Sequence, residues 1–151
     1  MIRKIWAVKG SKPIILTTGS KRRKVVFGAV AENGTQLFRT YDACNSDSFL
    51  DFMKHVLGKY EKIALFIDKA SWHKKEKRVK KYFRENRHRI KIRWFPSGFP
   101  EANPAEECWR QGKSDVLGSR FYKSFEEFEK AISCYYRTRS FNLDLYKYLC
   151  Q

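Results

Sequence analysis

Two apolar runs on either side of a cationic stretch restrict the fold of this chain more than any other feature. "KIALFID" (62–68) and "IKIRWFP" (90–96) have the length and continuous apolar character of strands buried in a parallel sheet. Between them, "KKEKRVKKYFREN" (74–86) has the spacing of a helix with a cationic outer face. A strand, a helix and a strand in this order predict a right-handed crossover and two parallel strands in an α/β fold.

The segments before this unit predict further strands. "PIILTT" (13–18) has the composition of a strand. "KVVFGAVAENGTQLFRTYD" (24–42) is typical of a hairpin, because the turn residues Asn33 and Gly34 separate two apolar runs. No repeat or flexible linker interrupts residues 1–151, so we expect a single domain.

Helices are predicted around this framework. "SDSFLDFMKHVLGKY" (46–60) is amphipathic and could be capped by Ser46 or Asp47. A helix is expected from about Asn103, and another from Ser124 to about residue 137. The buried face of the first helix should consist of Phe49, Phe52, Met53, Val56 and Leu57.

The charge of the chain points to a polyanionic partner. Lys and Arg total 32 against 16 Asp and Glu, a formal net charge of +16. Nucleic acid is the first candidate; a membrane surface and a merely soluble basic surface are the alternatives. The cluster Lys21, Arg22, Arg23 and Lys24 is a candidate phosphate-binding segment. No apolar run is long enough for a membrane span, so we expect no membrane partner.

The cysteines do not indicate a metal or disulfide framework. Cys44, Cys108, Cys134 and Cys150 lie far apart, without paired spacing. Residues 1–12 contain no signal peptide. We therefore expect buried free thiols and a cytoplasmic location.

Two carboxylates are candidate ligands for a divalent cation. Asp68 ends an apolar strand, and Glu106 lies in the first turn of the helix after the next strand. Such positions can converge, and the mutual repulsion of two carboxylates is relieved by Mg²⁺ or Mn²⁺. The alternatives are structural: Glu106 could complete a capping box with Asn103, and Asp68 could start a turn.

These segments resemble the catalytic core of mariner-like transposases, in particular the prokaryotic insertion-sequence family 630. "FIDKASWH" (66–73) and "IRWFPSGFPEANPAEECWRQGK" (92–113) carry the similarity, and "IWAVKGSKP" and "VVFGAV" extend it over nearly all of the chain. The residues that match the family pattern are Asp68, Ala70, His73, Pro96, Pro100, Asn103, Pro104, Glu106, Trp109 and Lys113.

The resemblance implies a ribonuclease H-like fold, a mixed sheet flanked by helices, with a site of three acids and two Mg²⁺ or Mn²⁺ ions. It assigns Asp68 as the second acid and Glu106 as the third, whereas Glu107 lies off the motif position. Lys113 would contact the DNA backbone. His73 would lie near the metals or cap the following helix.

Two further motif residues have structural interpretations. Trp109 is expected to pack the helix against the sheet rather than stack on a base. Asn103 and Pro104 are expected to fix the start of the helix and so aim Glu106.

The sequence departs from the family pattern at its beginning. The first acid of the family precedes the Trp…Lys-Gly…Pro segment, which begins here at Trp6, and no Asp or Glu occurs before Glu32. We therefore expect the first acid, its strand and the upstream DNA-binding region to be missing. Residues 2–8, residues 13–18 or a second copy could replace that strand. A separate N-terminal fragment and a homodimer are the expected protein partners.

The function implied by the resemblance is DNA transposition, by metal-assisted attack of water or a 3′-hydroxyl on a phosphodiester. Without the first acid, the chain alone is expected to cut DNA weakly or not at all. One alternative is a non-catalytic DNA-binding remnant of a transposase. Another is a ribonuclease H-like nuclease that acts on RNA or on junctions.

Overall fold

The computed structural model of the chain describes residues 8–11, 21–69, 75–98, 102–118 and 120–149. These residues form a mixed α/β structure, as predicted; the predicted strand at 13–18 lies outside them. In chain order, the elements are β1 (Val25–Val30), β2 (Gln36–Tyr41), α1 (Ser46–Lys59), β3 (Ile63–Ile67), α2 (Lys77–Glu85), β4 (Ile90–Trp94), α3 (Pro104–Leu117), α4 (Phe125–Thr138) and α5 (Tyr146–Leu149).

The predicted hairpin is confirmed. β1 and β2 pair antiparallel, and Val30 lies opposite Gln36 next to the turn. Gly34 has φ +79°, in the left-handed region where glycine is favoured. The Asn33 side-chain oxygen accepts a hydrogen bond of 3.0 Å from the Thr35 N–H. This turn chemistry fixes the register of the two strands.

The predicted crossover is also confirmed. β3 and β4 pair in parallel, with Ile63 opposite Ile90 and Ile67 opposite Trp94, and α2 connects them. The Phe95 N–H donates to the Ile67 carbonyl at 3.0 Å, so the pairing continues one residue beyond β4. The carboxyl ends of both strands therefore meet at one edge.

Helices cover both faces of the β1–β2 hairpin. On one face, Phe27 of β1 stacks on Phe52 of α1, with ring centroids 5.7 Å apart. On the other face, Phe38 of β2 contacts Tyr136 of α4 at 5.1 Å. The core cluster on the first side consists of Phe49, Met53, Leu57, Ile67, Val79, Phe83 and Ile90. The second consists of Cys108, Val116, Ile132, Tyr136 and Phe141.

Helix α1 has the predicted buried face but a different cap. Asn45, whose backbone is extended, accepts a hydrogen bond of 3.0 Å from the Ser48 N–H through its side-chain oxygen. The prediction of Ser46 or Asp47 as the cap is therefore wrong by one or two residues. Asp47 instead pairs with Arg78 of α2 at 2.5 Å. The five residues predicted for the buried face, Phe49, Phe52, Met53, Val56 and Leu57, are all buried.

Only one of the described thiols is buried. Cys108 is fully buried, and burial raises the pKa of its thiol to about 12. Cys44 and Cys134 are free but exposed, which corrects the expectation of buried thiols; Cys150 lies outside the described residues. Cys134 is exposed because Ile132 and Tyr136 form the inner face of α4.

No helix in the described ranges combines the length and the apolar character required to cross a membrane.

Candidate functional site

The end of β3 brings Asp68 to an exposed edge of the β3–β4 sheet. Asp68 directly follows the last residue of β3, and its side chain is exposed. Lys69 donates a hydrogen bond of 3.1 Å from its ammonium to the Ser97 hydroxyl, which links the end of β3 to the loop after β4. Gly98 has φ +74°, so a glycine is favoured where this loop turns.

The start of α3 positions Glu106. The Asn103 side-chain oxygen accepts a hydrogen bond of 3.1 Å from the Ala105 N–H, and Pro104 occupies the first turn. The predicted cap and proline are thus confirmed. Ala105 and Cys108 face the core, whereas Glu106 is exposed.

Asp68 and Glu106 line the same cleft. Its volume is about 350 Å³, and we call it the carboxylate cleft. Two carboxylates beside serine and asparagine oxygens form a donor set that suits Mg²⁺ or Mn²⁺. The residues that line it are Asp68, Lys69, Phe95, Pro96, Ser97, Gly98, Asn103 and Glu106.

The two neighbouring glutamates of α3 have different surroundings. Glu107 accepts hydrogen bonds from the Arg110 Nε at 2.7 Å and the Gln111 Nε2 at 2.8 Å. These contacts lower the pKa of Glu107 to about 2. In the described part of the chain, Glu106 makes no side-chain hydrogen bond or ion pair, so the capping-box contact with Asn103 is not found there. The acidic pair therefore divides into a structural Glu107 and a Glu106 available to a ligand.

Two other acids of the described chain, Asp42 and Asp115, are engaged away from the cleft. Asp42 pairs with Lys24 at 2.5 Å, and Asp115 accepts a hydrogen bond of 2.8 Å from the Tyr135 hydroxyl. Neither lines the carboxylate cleft. Among the described residues there is no group of three or more His, Cys, Asp or Glu that could hold a metal ion. Two carboxylates match the one or two protein ligands that Mg²⁺ often uses.

Helix α3 packs closely against α4 at Gly112. Gly112 lies against the buried ring of Tyr136 on α4, where a Cβ atom would overlap that ring. The Tyr122 hydroxyl donates to the Val116 carbonyl at 2.7 Å, which satisfies an otherwise open acceptor near the end of α3. Trp109 packs against the core cluster on this side, as predicted.

The basic segment before β1 contains two kinds of cation. Lys21 and Arg23 are exposed. Arg22 pairs with Glu126 at 2.9 Å and lies 4.0 Å over the Phe125 ring.

The side chain of the last cation in this segment is largely covered by its neighbours. Only 7% of the Lys24 side chain is exposed, and its ammonium contacts Asp42 and Glu129 at 2.5 Å each. Hydrogen bonds to these carboxylates raise the pKa of Lys24. Lys24 thus joins the hairpin to α4, and a phosphate would have to displace both carboxylates to reach it.

A second space adjoins the carboxylate cleft. It has a volume of about 600 Å³, it lies between β1 and β3, and its walls are mostly apolar. We call it the strand slot. Asp68, Phe95 and Asn103 line both spaces, so the cleft opens at one end of the slot. Lys113 is exposed on α3 and lines the slot; His73 lies outside the described residues.

Sequence reasoning missed the slot and the specific partners of Glu107. The Glu107–Arg110 contact had a signal, since opposite charges three residues apart face each other on a helix. No sequence signal indicated the slot, because periodicity does not show how distant elements pack against each other.

The family model described as DDE superfamily endonuclease matches residues 1–129, and that superfamily has a ribonuclease H-like fold. No curated protein matches the chain. The match covers most of the chain, and the helices on both faces of its strands agree with that fold. The chain therefore belongs to the DDE superfamily endonucleases.

Proposed function

We propose that the chain is the catalytic part of a DNA transposase of the mariner-like, insertion-sequence 630 type. In this proposal Asp68 and Glu106 hold Mg²⁺ or Mn²⁺ for cleavage and strand transfer. The observation that carries it is that both carboxylates line one cleft, although they come from different elements. The family match supports an endonuclease that acts on DNA.

The chain's own groups have distinct roles in this proposal. A divalent cation held by Asp68 and Glu106 would supply Lewis-acid chemistry, the activation of water or a 3′-hydroxyl and the neutralisation of charge on the phosphate. Asp68 and Glu106 supply its carboxylate ligands. Asn103 holds the first turn of α3 in place, which keeps Glu106 directed at the cleft. The cation of Lys69, on the cleft wall, offsets negative charge on an entering phosphate.

DNA would be held by cations around the cleft. Lys21 and Arg23 are exposed and would contact phosphates, and Lys113 would contact the backbone from α3. His73 remains a proposed DNA or metal neighbour. Arg22 and Lys24 would act through the segment they hold, since both form ion pairs.

The proposed site is incomplete within the described residues. A two-metal reaction requires a larger acidic cluster than two carboxylates, so we expect weak cleavage by the chain alone. A separate N-terminal fragment and a homodimer are the proposed ways to complete it. A prokaryotic enzyme of this kind would act in the cytoplasm, at the nucleoid.

A second candidate function is a non-catalytic DNA-binding remnant of a transposase. It is favoured by the lack of three clustered ligands in the described ranges, together with the net charge of +16. A nuclease acting on RNA or junctions would use the same carboxylates, and only the choice of substrate would distinguish it.

Calorimetric titration with Mn²⁺ separates the first two functions. The variants are Asp68→Asn and Glu106→Gln, and the control is Glu107→Gln, next to the site but bonded within α3. We expect both site variants to lose about tenfold or more in affinity, because each loses a charged ligand, while the control binds like the wild type. Equal binding by all four proteins would reject the metal site and favour the DNA-binding remnant.

A further inference from the structure

The turn between α3 and α4 presents an aromatic ring to solvent. Phe121 is 45% exposed and belongs to neither hydrophobic core cluster. Among the described residues, its ring makes no contact with another ring. A single exposed apolar side chain is common on protein surfaces, so exposure alone assigns no role. The role of this ring follows from the contacts and charges around it.

The two residues after Phe121 are fastened to the neighbouring helices. The Tyr122 hydroxyl donates to the Val116 carbonyl of α3 at 2.7 Å, and the Tyr122 ring packs against the core cluster beneath α4. The Lys123 N–H donates to a Glu127 carboxylate oxygen at 2.9 Å. The fold therefore sets the place of Phe121, and a ligand that binds the ring pays little to order the turn.

Cations lie on both sides of the ring. Arg120 and Lys123 are exposed, and neither forms an ion pair within the described part of the chain. The two acids in the first turn of α4 already have partners. Glu126 pairs with Arg22 at 2.9 Å, and Glu127 accepts the Lys123 N–H. The side-chain charges of Arg120 and Lys123 are therefore available to an anion.

The basic segment before β1 adds two cations at the same place. The Arg22 guanidinium lies 4.0 Å over the Phe125 ring and pairs with Glu126. These contacts hold Lys21 and Arg23, both exposed, beside the start of α4, which follows the turn directly. The aromatic patch, as we call this surface, consists of Lys21, Arg23, Arg120, Phe121 and Lys123.

We propose that the aromatic patch binds nucleic acid at an unpaired base. Phe121 stacks on the face of the base, and the four cations of the patch contact the phosphates on either side of it. An aromatic side chain with surrounding cations holds single strands without reading their sequence. The proposal rests on the proposed function for the nature of its partner, DNA. It requires neither a metal ion nor the carboxylate cleft.

Charge and shape favour this partner over two others. A second copy of the chain carries the same net charge of +16, so the two copies repel each other. A membrane surface also attracts cations, but binding there depends on several apolar side chains on one face, whereas this patch contains one ring. A base in a nucleic acid strand offers one flat face to the ring and phosphates to the cations.

The need for an unpaired base restricts the form of DNA that the patch prefers. A base leaves an intact duplex only at the cost of unstacking and unpairing, and a single strand or an overhang does not require that cost. An endonuclease produces DNA ends, where bases fray or stand unpaired. The patch is therefore expected to favour cut ends and single strands over an uninterrupted duplex.

The test measures binding of a fluorescein-labelled strand of about ten thymidines, without metal. Fluorescence anisotropy compares the wild type with Phe121→Leu, which keeps an apolar side chain but removes the ring. We expect the affinity of Phe121→Leu for the strand to be about fivefold or more lower. Phe121→Trp restores an aromatic ring and should bind about as well as the wild type. An unchanged affinity of Phe121→Leu would overturn the proposal.

Tyr146→Leu is the matched control. Tyr146 is 62% exposed, and its hydroxyl donates to Glu32, which follows β1 at the opposite end of the hairpin from Lys24. The loss of this ring should leave the affinity for the strand unchanged. Equal weakening by Phe121→Leu and Tyr146→Leu would contradict a specific role of Phe121.

A strand of the same length with abasic sites tests the stacking itself. It carries the same phosphates without bases, so the wild type should bind it about fivefold or more weakly than the thymidine strand. Phe121→Leu should bind the two strands alike, because the ring that distinguishes them is absent. If the wild type also binds the two strands alike, the cations alone hold the strand and the stacking is wrong.

A blunt duplex separates this proposal from the proposed function. If the wild type binds the duplex, and Phe121→Leu binds the single strand as the wild type does, the DNA partner stands and the role of Phe121 is wrong. If the wild type binds neither DNA, the patch and the DNA partner are both wrong. Calorimetric titration with Mn²⁺ without DNA should give the same affinity for Phe121→Leu and the wild type, so the metal site is judged independently.

Discussion

Gly112 sets how closely α3 approaches α4. A Cβ atom there would overlap the hydroxyl of Tyr136 and lie 2.6 Å from its Cζ atom. Tyr136 is 7% exposed and contacts Phe38 and Phe141, so its ring has little room to move. The place of Glu106 therefore depends on Gly112, six residues further along the helix.

Gly112→Ala should destabilise the protein by about 1–3 kcal/mol, because overpacking outweighs the better helix propensity of alanine. Gly58 of α1 is the matched control, since nothing lies within 4 Å of an added Cβ there. Gly58→Ala should stabilise by about 0.5–1 kcal/mol. Urea unfolding measures both. A stable Gly112→Ala variant would show that α4 can move away at little cost.

At the scale of elements, the first turn of α3 combines a cap with the candidate site. Asn103→Ala removes the acceptor for the Ala105 N–H and should cost about 1 kcal/mol of stability. Mn²⁺ affinity should fall as well, because Glu106 lies in the loosened turn. Titration calorimetry and urea unfolding measure the two effects.

Ser124 provides the control for this prediction. It caps α4 through a hydrogen bond of 3.1 Å from the Glu127 N–H. Ser124→Ala should cost a similar amount of stability without changing Mn²⁺ affinity, and Asn103→Asp should restore both properties. Equal losses of Mn²⁺ affinity in the two alanine variants would mean that the cap does not position Glu106.

The contact between Glu107 and Arg110 gives α3 a defined pH response. The pKa of Glu107 is lowered from 4.5 to about 2, chiefly by the hydrogen bond from Arg110. The pair therefore stabilises the fold fully above pH 4.5, and this contribution is lost as the pH falls towards about 2. This contribution should be small, because Arg110 is largely exposed and solvent screens the pair.

Arg110→Met should raise the pKa of Glu107 towards its ordinary value. Carbon-13 NMR of the side-chain carboxyl measures this directly. Arg84→Met on α2 removes a comparable exposed cation from another helix and should leave Glu107 unchanged. If Arg110→Met also leaves the titration unchanged, Gln111 holds the carboxylate in its place.

Local chemistry made the helices, strands and turns predictable from the sequence. The packing between distant elements was not predictable in this way. Asn33–Gly34, Asn103–Pro104 and Ser124 are turn and cap signals, and the structure follows each of them. The cap of α1 was misassigned because Asn45, Ser46 and Asp47 all have capping side chains, and only the backbone conformation selects one. Helix α5 has four residues, too few to give a periodic signal.

For the candidate site, too, the residues were predictable from local signals and the long-range contacts were not. Asp68 and Glu106 follow from a strand end and a helix start, and the structure brings both to one cleft. The long-range partners of Lys24 and the shape of the strand slot depend on packing between distant elements. Residue order alone does not contain that information.

At the scale of the whole molecule, the cations are distributed between two helical layers. Lys21 and Arg23 lie beside Arg22, whose guanidinium contacts α4. Lys54 and Lys59 lie on α1, which covers the opposite face of the hairpin. We expect DNA to bind mainly on the first side.

The salt dependence of DNA affinity tests this distribution. The double variant Lys21→Ala and Arg23→Ala should weaken binding and reduce the slope of log K against log salt by about 2, one for each lost phosphate contact. The double variant Lys54→Ala and Lys59→Ala removes the same charge from the other layer and should change the slope little. Equal changes would mean that only net charge attracts DNA.

The Asn33–Gly34 turn also sets the timing of folding during synthesis. The β1–β2 hairpin is local and can close in about 1–10 μs once it leaves the ribosome. The ribosome adds roughly 5–20 residues per second, so β3 follows only seconds later. During those seconds the outer edge of β1 exists without the opposite wall of the slot. A nascent chain therefore presents β1, one wall of the slot, before the residues of the opposite wall have been made.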